Sequence, residues 1–392
     1  MPDRFTGPRD NVFCFLLRLN VSHFRMFSLF RRKAALPVSL EPTFNERVDA
    51  FWKWYAESAV RFYQTIEQKR CADLTDEVSA KVDELLTGFA WVFGPGENGG
   101  HSFTLSGEGV IHRQLLALQW LSRAPGLPGW TFYASRPTGT ISGISIEIGG
   151  ISFSAKEIWV TPRIDRENEC FDLTFWHPAW ETLEESQKYR VTFLFLDEAL
   201  GEYGTGWWIG RIDFGKDKLA HSFPLEELAG HMRDLSAAEG WKKYLPGECT
   251  TLLRFKEING AYPRSDTFTQ ATVAPALIRD YFDADGDLEN PLAGTGADYV
   301  YVSLPNHLLP KGDEVAKRGE FEDALNDALA PGGLGRWIGG AQGRERFYVD
   351  LLLVDGVRSM DAVVATLRQL KVPAGTMIEF FAREKLGRRI AL

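Results

Sequence analysis

Phe51-Trp52-Lys53-Trp54-Tyr55 sits inside an amphipathic run over residues 45–68, and its reading decides the fold of the N-terminal half. Val48, Phe51, Trp52, Tyr55, Ala59, Phe62 and Ile66 recur at spacings of three and four, which places them on one helical face. Glu46, Lys53, Glu57 and Arg61 fall on other faces. Aromatic side chains bury roughly 150–250 Å² each, so such a helix can close a core on its own. A helix docked on a sheet explains the stripe without any ligand.

Working outward, residues 75–86 predict a second helix through Val78, Val82, Leu85 and Leu86. Residues 89–93 and 101–106 predict a hairpin across the glycine-rich turn 94–100. That turn lacks the Gly-Lys-Ser/Thr ending of a phosphate loop. A helix over 110–122 follows, and then strands at 130–135, 144–148, 151–153, 158–160 and 171–175. A short polar helix over 181–188 precedes an apolar strand at 190–196, and a strand over 207–214 ends the series. Residues 223–236 read as a helix. Strands grouped with helices, without strict alternation, predict an α+β fold with mostly antiparallel sheets.

The C-terminal hundred residues give strand 299–304, helix 321–329, strands 335–339 and 347–354, helix 360–370 and strand 377–382. That β-α-β-β-α-β order predicts a ferredoxin-like domain. The expected organisation is therefore an N-terminal extension over 1–43, an α+β domain over 44–236, an irregular connector over 237–295 and a ferredoxin-like domain over 296–392. Two domains suit a chain of 392 residues. Residues 1–25 read as an upstream extension, with Met26 as an alternative start.

The net charge of −9 argues against general binding to nucleic acid or to anionic membranes. Arg18, His23 and Arg25 interrupt the apolar residues 11–30, so no stable membrane insertion is expected. The four cysteines are far apart, which suits a reducing cytoplasm.

Chemistry is sparsely signalled. The seven histidines show no HxH or HxxxH pairing, and no Walker, GxSxG or dinucleotide sequence is present. No metal, cofactor or catalytic residue is expected. Ser106-Gly107-Glu108-Gly109 reads as a strand-to-helix turn with a capping serine. Asp283-Ala284-Asp285-Gly286-Asp287 opens like a calcium loop. Leu288 and Gly294 then occupy the positions that need a glycine and a bidentate glutamate. Acids also gather at Glu181, Glu184, Glu185, Asp197, Glu198 and Glu202. In Glu202-Tyr203-Gly204-Thr205-Gly206-Trp207-Trp208, adjacent tryptophans on a strand would point to opposite faces. One of them would be a partner contact, and Glu202, Trp207 and Trp208 are the candidate binding residues.

Across roughly 45–214 the chain resembles a group of bacterial domain-of-unknown-function proteins. The resemblance rests on the Phe-Trp-Lys-Trp-Tyr helix, the Ser-Gly-Glu-Gly turn, Ala124-Pro125 through Trp130, Arg136-Pro137, and Leu196-Asp197-Glu198-Ala199-Leu200-Gly201-Glu202 leading into Ile209-Gly210. It implies no catalytic residues. The C-terminal part is similar in pattern to ferredoxin-like RraB-type regulators of ribonuclease E. The expectation is a cytoplasmic, non-catalytic protein-binding module of regulatory or immunity type, whose partner is another protein. The alternative is a hydrolase using acidic residues in an interdomain cleft.

Overall fold

The computed structural model describes residues 41–256 and 260–392; the expected extension over 1–43 lies outside them but for its last residues. Helices α1 (Phe44–Glu67) and α2 (Thr75–Leu85) come first, then strands β1 (Ala90–Pro95) and β2 (His101–Ser106). Helix α3 (Ile111–Ser122) and strand β3 (Trp130–Tyr133) follow. Strands β4 (Ser145–Ile148), β5 (Ile151–Ser154), β6 (Trp159–Asp165) and β7 (Cys170–Trp176) lead to helices α4 (Glu185–Leu200) and α5 (Glu202–Trp208). Then come β8 (Ile209–Phe214), β9 (Phe223–Pro224), α6 (Leu228–Ala238), β10 (Thr251–Arg254), β11 (Thr267–Thr272) and α7 (Pro275–Asp283). The last stretch runs β12 (Asp298–Pro305), α8 (Glu314–Leu329), β13 (Gly335–Gly343) and β14 (Arg346–Leu353). It ends with α9 (Gly356–Gln369), β15 (Met377–Phe380) and β16 (Arg389–Ala391). The fold is mixed helix and strand with largely antiparallel sheets.

Contacts divide the chain into two interleaved units. One holds Phe103–Gln114 and Tyr133–Pro246; the other holds 41–102, Leu115–Phe132 and Gly247–Leu392.

The first unit is organised by a four-stranded sheet of order β8-β7-β6-β9. β6 and β7 pair antiparallel from Trp159↔Trp176 to Asp165↔Cys170, and β7 pairs with β8 in parallel. Phe171, Leu173 and Phe175 of β7 share a core with Val191, Phe195, Leu196 and Ala199 of α4. Residues 190–196, expected as a strand, are therefore helical. Val191, Phe195 and Ala199 recur every four residues, and Gln187 Oε1 accepts the Glu184 N–H at 3.1 Å to start the turn. The helix expected at 181–188 is a 3₁₀ turn over Pro178–Thr182 followed by the start of α4. Trp207 and Trp208, expected on a strand, close helix α5 instead.

The second unit carries a seven-stranded sheet of order β10-β11-β13-β14-β12-β15-β16, with every neighbour pair antiparallel. Val300, Val302, Leu304, Val349, Leu351 and Ile378 line one face, against Phe321, Leu325 and Leu329 of α8 and Val363 and Leu367 of α9. Period-two alternation sends Tyr301, Tyr348 and Asp350 to the other face. There Asp350 accepts from Arg264 at 2.7 and 3.2 Å and from Gln270 Nε2 at 2.9 Å. Rings of Tyr301, Tyr348 and Phe381 lie 4.8–4.9 Å from the Arg264 guanidinium. Arg264 and Asp350 are both fully buried at the side chain. Residues 237–295, expected as an irregular connector, thus supply two strands, a helix and the arginine of this buried pair.

Helix α1 behaves as its periodicity requires. Thr43 Oγ accepts the Glu46 N–H while the Glu46 carboxylate accepts the Thr43 N–H, a reciprocal cap. Trp52 stacks on Trp120 at 4.5 Å and donates its indole N–H to the Trp120 carbonyl at 3.0 Å. Phe44, Phe51, Tyr55 and Phe62 are all fully buried.

Around 283–289, Asp285 and Gly286 are left-handed and Leu288 is buried in a bridge to Ala382. Among the described residues no group of three or more His, Cys, Asp or Glu side chains is placed to hold a metal. No described helix is long and apolar enough to cross a membrane.

Candidate functional site

The three residues singled out in the sequence all fall on α5, in the first unit. Gly201, at φ 72°, separates α4 from α5, and a Cβ there would meet the Arg136 carbonyl oxygen and the Thr138 nitrogen at 3.1 Å. Only glycine fits so close an approach in that conformation. The Glu202 N–H donates to the Arg136 carbonyl at 3.0 Å, which turns the chain back toward the 134–139 segment.

Glu202 is consequently not a surface contact. It is 4% exposed, and its carboxylate accepts four hydrogen bonds. Ser106 Oγ donates at 2.8 Å and the Arg136 N–H at 3.3 Å to Oε2. The Gly109 N–H and Gln114 Nε2 each donate at 3.1 Å to Oε1. Four donors fill the lone-pair directions of a carboxylate, so Glu202 acts as an anchor for three segments. Ser106 also accepts the Glu108 N–H at 3.1 Å, closing a turn two residues long; it serves this turn and Glu202, not as the helix cap expected from the sequence.

Two further carboxylates surround this anchor. Glu108, left-handed at φ 53°, pairs with the Arg136 guanidinium. Asp197, in the last turn of α4, lies 4.0 Å from the other Arg136 nitrogen. Burial pushes the Asp197 carboxyl up to about 6, and Glu202 and Glu108 push the same way against Thr205 and Arg136. Burial lowers Arg113, while Glu108 raises it. His112 is held down at about 4, by burial first and Arg113 second, so it is neutral at physiological pH.

The other end of α5 is aromatic. Trp208 stacks with Trp241 at 6.3 Å and 18°, and Phe171 lies 6.3 Å from Trp208 and 5.2 Å from Trp241. Trp207 meets Tyr244 edge-on at 5.4 Å. All four tryptophan and tyrosine side chains are half-buried, while Lys242, Lys243 and Leu245 beside them are exposed. Helical succession, not strand alternation, sets these directions, so both tryptophans face aromatic partners. Sequence reasoning missed Trp241-Lys242-Lys243-Tyr244 because it lies in a stretch without periodicity. The Trp-Lys-Lys-Tyr run after Gly240 was the available signal.

A shallow groove of about 280 Å³ lies elsewhere on this unit, lined by Glu185, Lys188, Tyr189, Ile212, Asp213 and Phe214. Of the acids gathered in the sequence, Glu185 alone is among these residues; Asp197 and Glu202 meet in the polar cluster, away from that lining. Compared with known protein families, curated proteins and solved structures, the chain matches none.

Proposed function

We propose that this chain is a non-catalytic protein-binding module that holds an acidic segment of another protein on the shelf formed by Trp208, Trp241, Trp207 and Tyr244. The observation that carries the reading is the partly buried Trp208–Trp241 stack, packed on the core of the first unit beside two exposed lysines. Tryptophan and tyrosine dominate binding hot spots, because they supply large rigid contact area with a polar tip. Lys242 and Lys243 give local positive charge on a chain of net charge −9, which selects an acidic partner segment. Trp207 and Trp208 keep the contact role given them by the sequence, and Glu202 becomes the anchor that positions their helix.

We also infer a ferredoxin-like class for residues 298–380. Its support is the element order β12-α8-β13-β14-α9-β15 with strand order β13-β14-β12-β15, extended at both edges. A regulatory or immunity-type role in the cytoplasm follows the same reading, acting by occluding or tethering the partner.

The test is capture from lysate followed by affinity measurement on the purified partner. Trp241→Ala, and separately Lys242→Glu with Lys243→Glu, are each expected to weaken binding at least about tenfold, a loss of roughly 1.4 kcal/mol or more. Unchanged affinity in both variants, with native circular dichroism, overturns the shelf as the binding face.

One observation favours a hydrolase, within the first unit and not in the interdomain cleft that the sequence suggested: Glu108, Asp197 and Glu202 converge on Arg136, and burial raises the Asp197 carboxyl toward the range useful to a general acid. Hydrolytic activity of the purified chain that vanishes in Asp197→Asn would establish it; activity that survives would exclude Asp197 as the acid.

A further inference from the structure

Helix α4 and the edge strand β8 meet along the shallow groove of about 280 Å³. Glu185, Lys188 and Tyr189 stand at i, i+3 and i+4 on α4, so one helical face supplies all three. Ile212, Asp213 and Phe214 come from the end of β8. The floor is part of the core. Ile212 is buried, Phe214 meets Trp180 edge-on at 5.7 Å, and Tyr189 meets Phe214 edge-on at 4.9 Å. The Tyr189 hydroxyl donates to the Ile212 carbonyl at 3.3 Å, which ties helix to strand. Charge in the groove is divided between two poles. The Lys188 ammonium lies 5.9 Å from the centre of the Phe214 ring. Glu185 and Asp213 act together at the Tyr189 hydroxyl, which burial first and then these two carboxylates raise above its ordinary range. Arg211 Nε pairs with Asp213 at 2.9 Å, so Glu185 supplies the net negative charge of that pole. Counting Arg211, two carboxylates face two cations, and such a site favours a ligand that carries both charges and no net charge.

We propose that this groove binds a small zwitterion of the α-amino-acid type, with its carboxylate on Lys188, its ammonium on Glu185 and Asp213, and its apolar side chain on the rings of Tyr189 and Phe214. The site goes beyond the partner reading, shares no residue with the aromatic shelf and is tested without any protein partner. Its volume lies just under the about 300–1,000 Å³ of sites for drug-sized ligands, which suits a ligand as small as an amino acid. Aromatic rings beside an ammonium add a cation–π attraction to the ion pair. A groove this shallow leaves much of the ligand in water, so the affinity is modest.

Saturation-transfer NMR on the full-length chain tests the site, with L-phenylalanine as the probe. L-phenylalanine is expected to bind with a Kd of about 1–10 mM. Two analogues separate the poles: 3-phenylpropionate lacks the ammonium and phenethylamine lacks the carboxylate. Each is expected to bind at least about fivefold more weakly than the amino acid. Lys188→Met is expected to weaken L-phenylalanine by about fivefold or more and to leave phenethylamine unchanged. Glu185→Gln is expected to weaken L-phenylalanine similarly and to leave 3-phenylpropionate unchanged. A general loss of structure would not produce that crossed pattern. No saturation of L-phenylalanine at about 20 mM overturns the site. Equal affinity for all three probes overturns the zwitterion, because apolar contact alone would then hold them. Undiminished binding of L-phenylalanine in both variants overturns the groove as its location.

Discussion

Asp350→Ala is expected to destabilise the second unit by about 3–5 kcal/mol, because it leaves the Arg264 guanidinium charged, buried and unpaired. Asp350 and Gln270 supply the polar partners of that guanidinium, with the Gln270 carbonyl accepting at 2.6 Å. Arg264 Nε finds no hydrogen-bond acceptor among the described residues, so the pair has no reserve. Arg264 also adopts φ 68°, a conformation that costs an L-residue about 1–3 kcal/mol and is held here by these contacts. Urea denaturation followed by fluorescence measures the loss. The double change Arg264→Met with Asp350→Leu removes both charges and fills the space among the three rings. It is expected to cost less than Asp350→Ala alone. Equal losses in the two variants would show that ring packing, and not the ion pair, holds the 260–266 loop.

Phe51→Ala is expected to cost a further about 3–5 kcal/mol in the same unit, through lost burial plus the cavity left behind. Phe51 is fully buried, with ring centroids 5.3 Å from Trp52, 5.8 Å from Tyr55 and 5.9 Å from Trp120. Rings held on several sides cannot collapse inward easily, which places the expected loss high in the range. Phe51→Leu keeps most of the volume and is expected to lose less than about 1.5 kcal/mol. Thermal unfolding of both variants, compared with the wild type, checks the order. A small loss in Phe51→Ala would mean that the aromatic cluster repacks.

Helix α1 was legible because seven apolar residues repeat at helical spacing. The C-terminal strands and helices were legible for the same reason, as their periods change cleanly between two and three to four. Residues 190–196 were not. Val191-Thr192-Phe193-Leu194-Phe195-Leu196 is rich in strand-forming side chains, and only packing on β7 makes the four-residue repeat decisive. The candidate site was legible in part. Trp207 and Trp208 stood out by composition, but they end a seven-residue helix that carries two glycines, Gly204 and Gly206, with a threonine between them. Such a segment has low helix propensity. Nor could the burial of Glu202 be read, since Ser106, Gly109 and Gln114 reach it across 96, 93 and 88 residues.

Separation along the chain has a cost in time during synthesis. Trp52 leaves the ribosome 68 residues before Trp120, its stacking partner. At about 5–20 residues per second, the aromatic face of α1 stays wet for roughly 3–14 s before that ring arrives. Asn45, whose side chain donates to the Gly333 carbonyl, waits for a partner 288 residues downstream, or roughly 14–58 s. Throughout that interval a nascent chain displays Phe44, Phe51, Trp52, Tyr55 and Phe62 along one helical stripe. An early segment of this kind is a natural client for a holding chaperone, and the yield of folded protein should track how fast translation proceeds beyond residue 120.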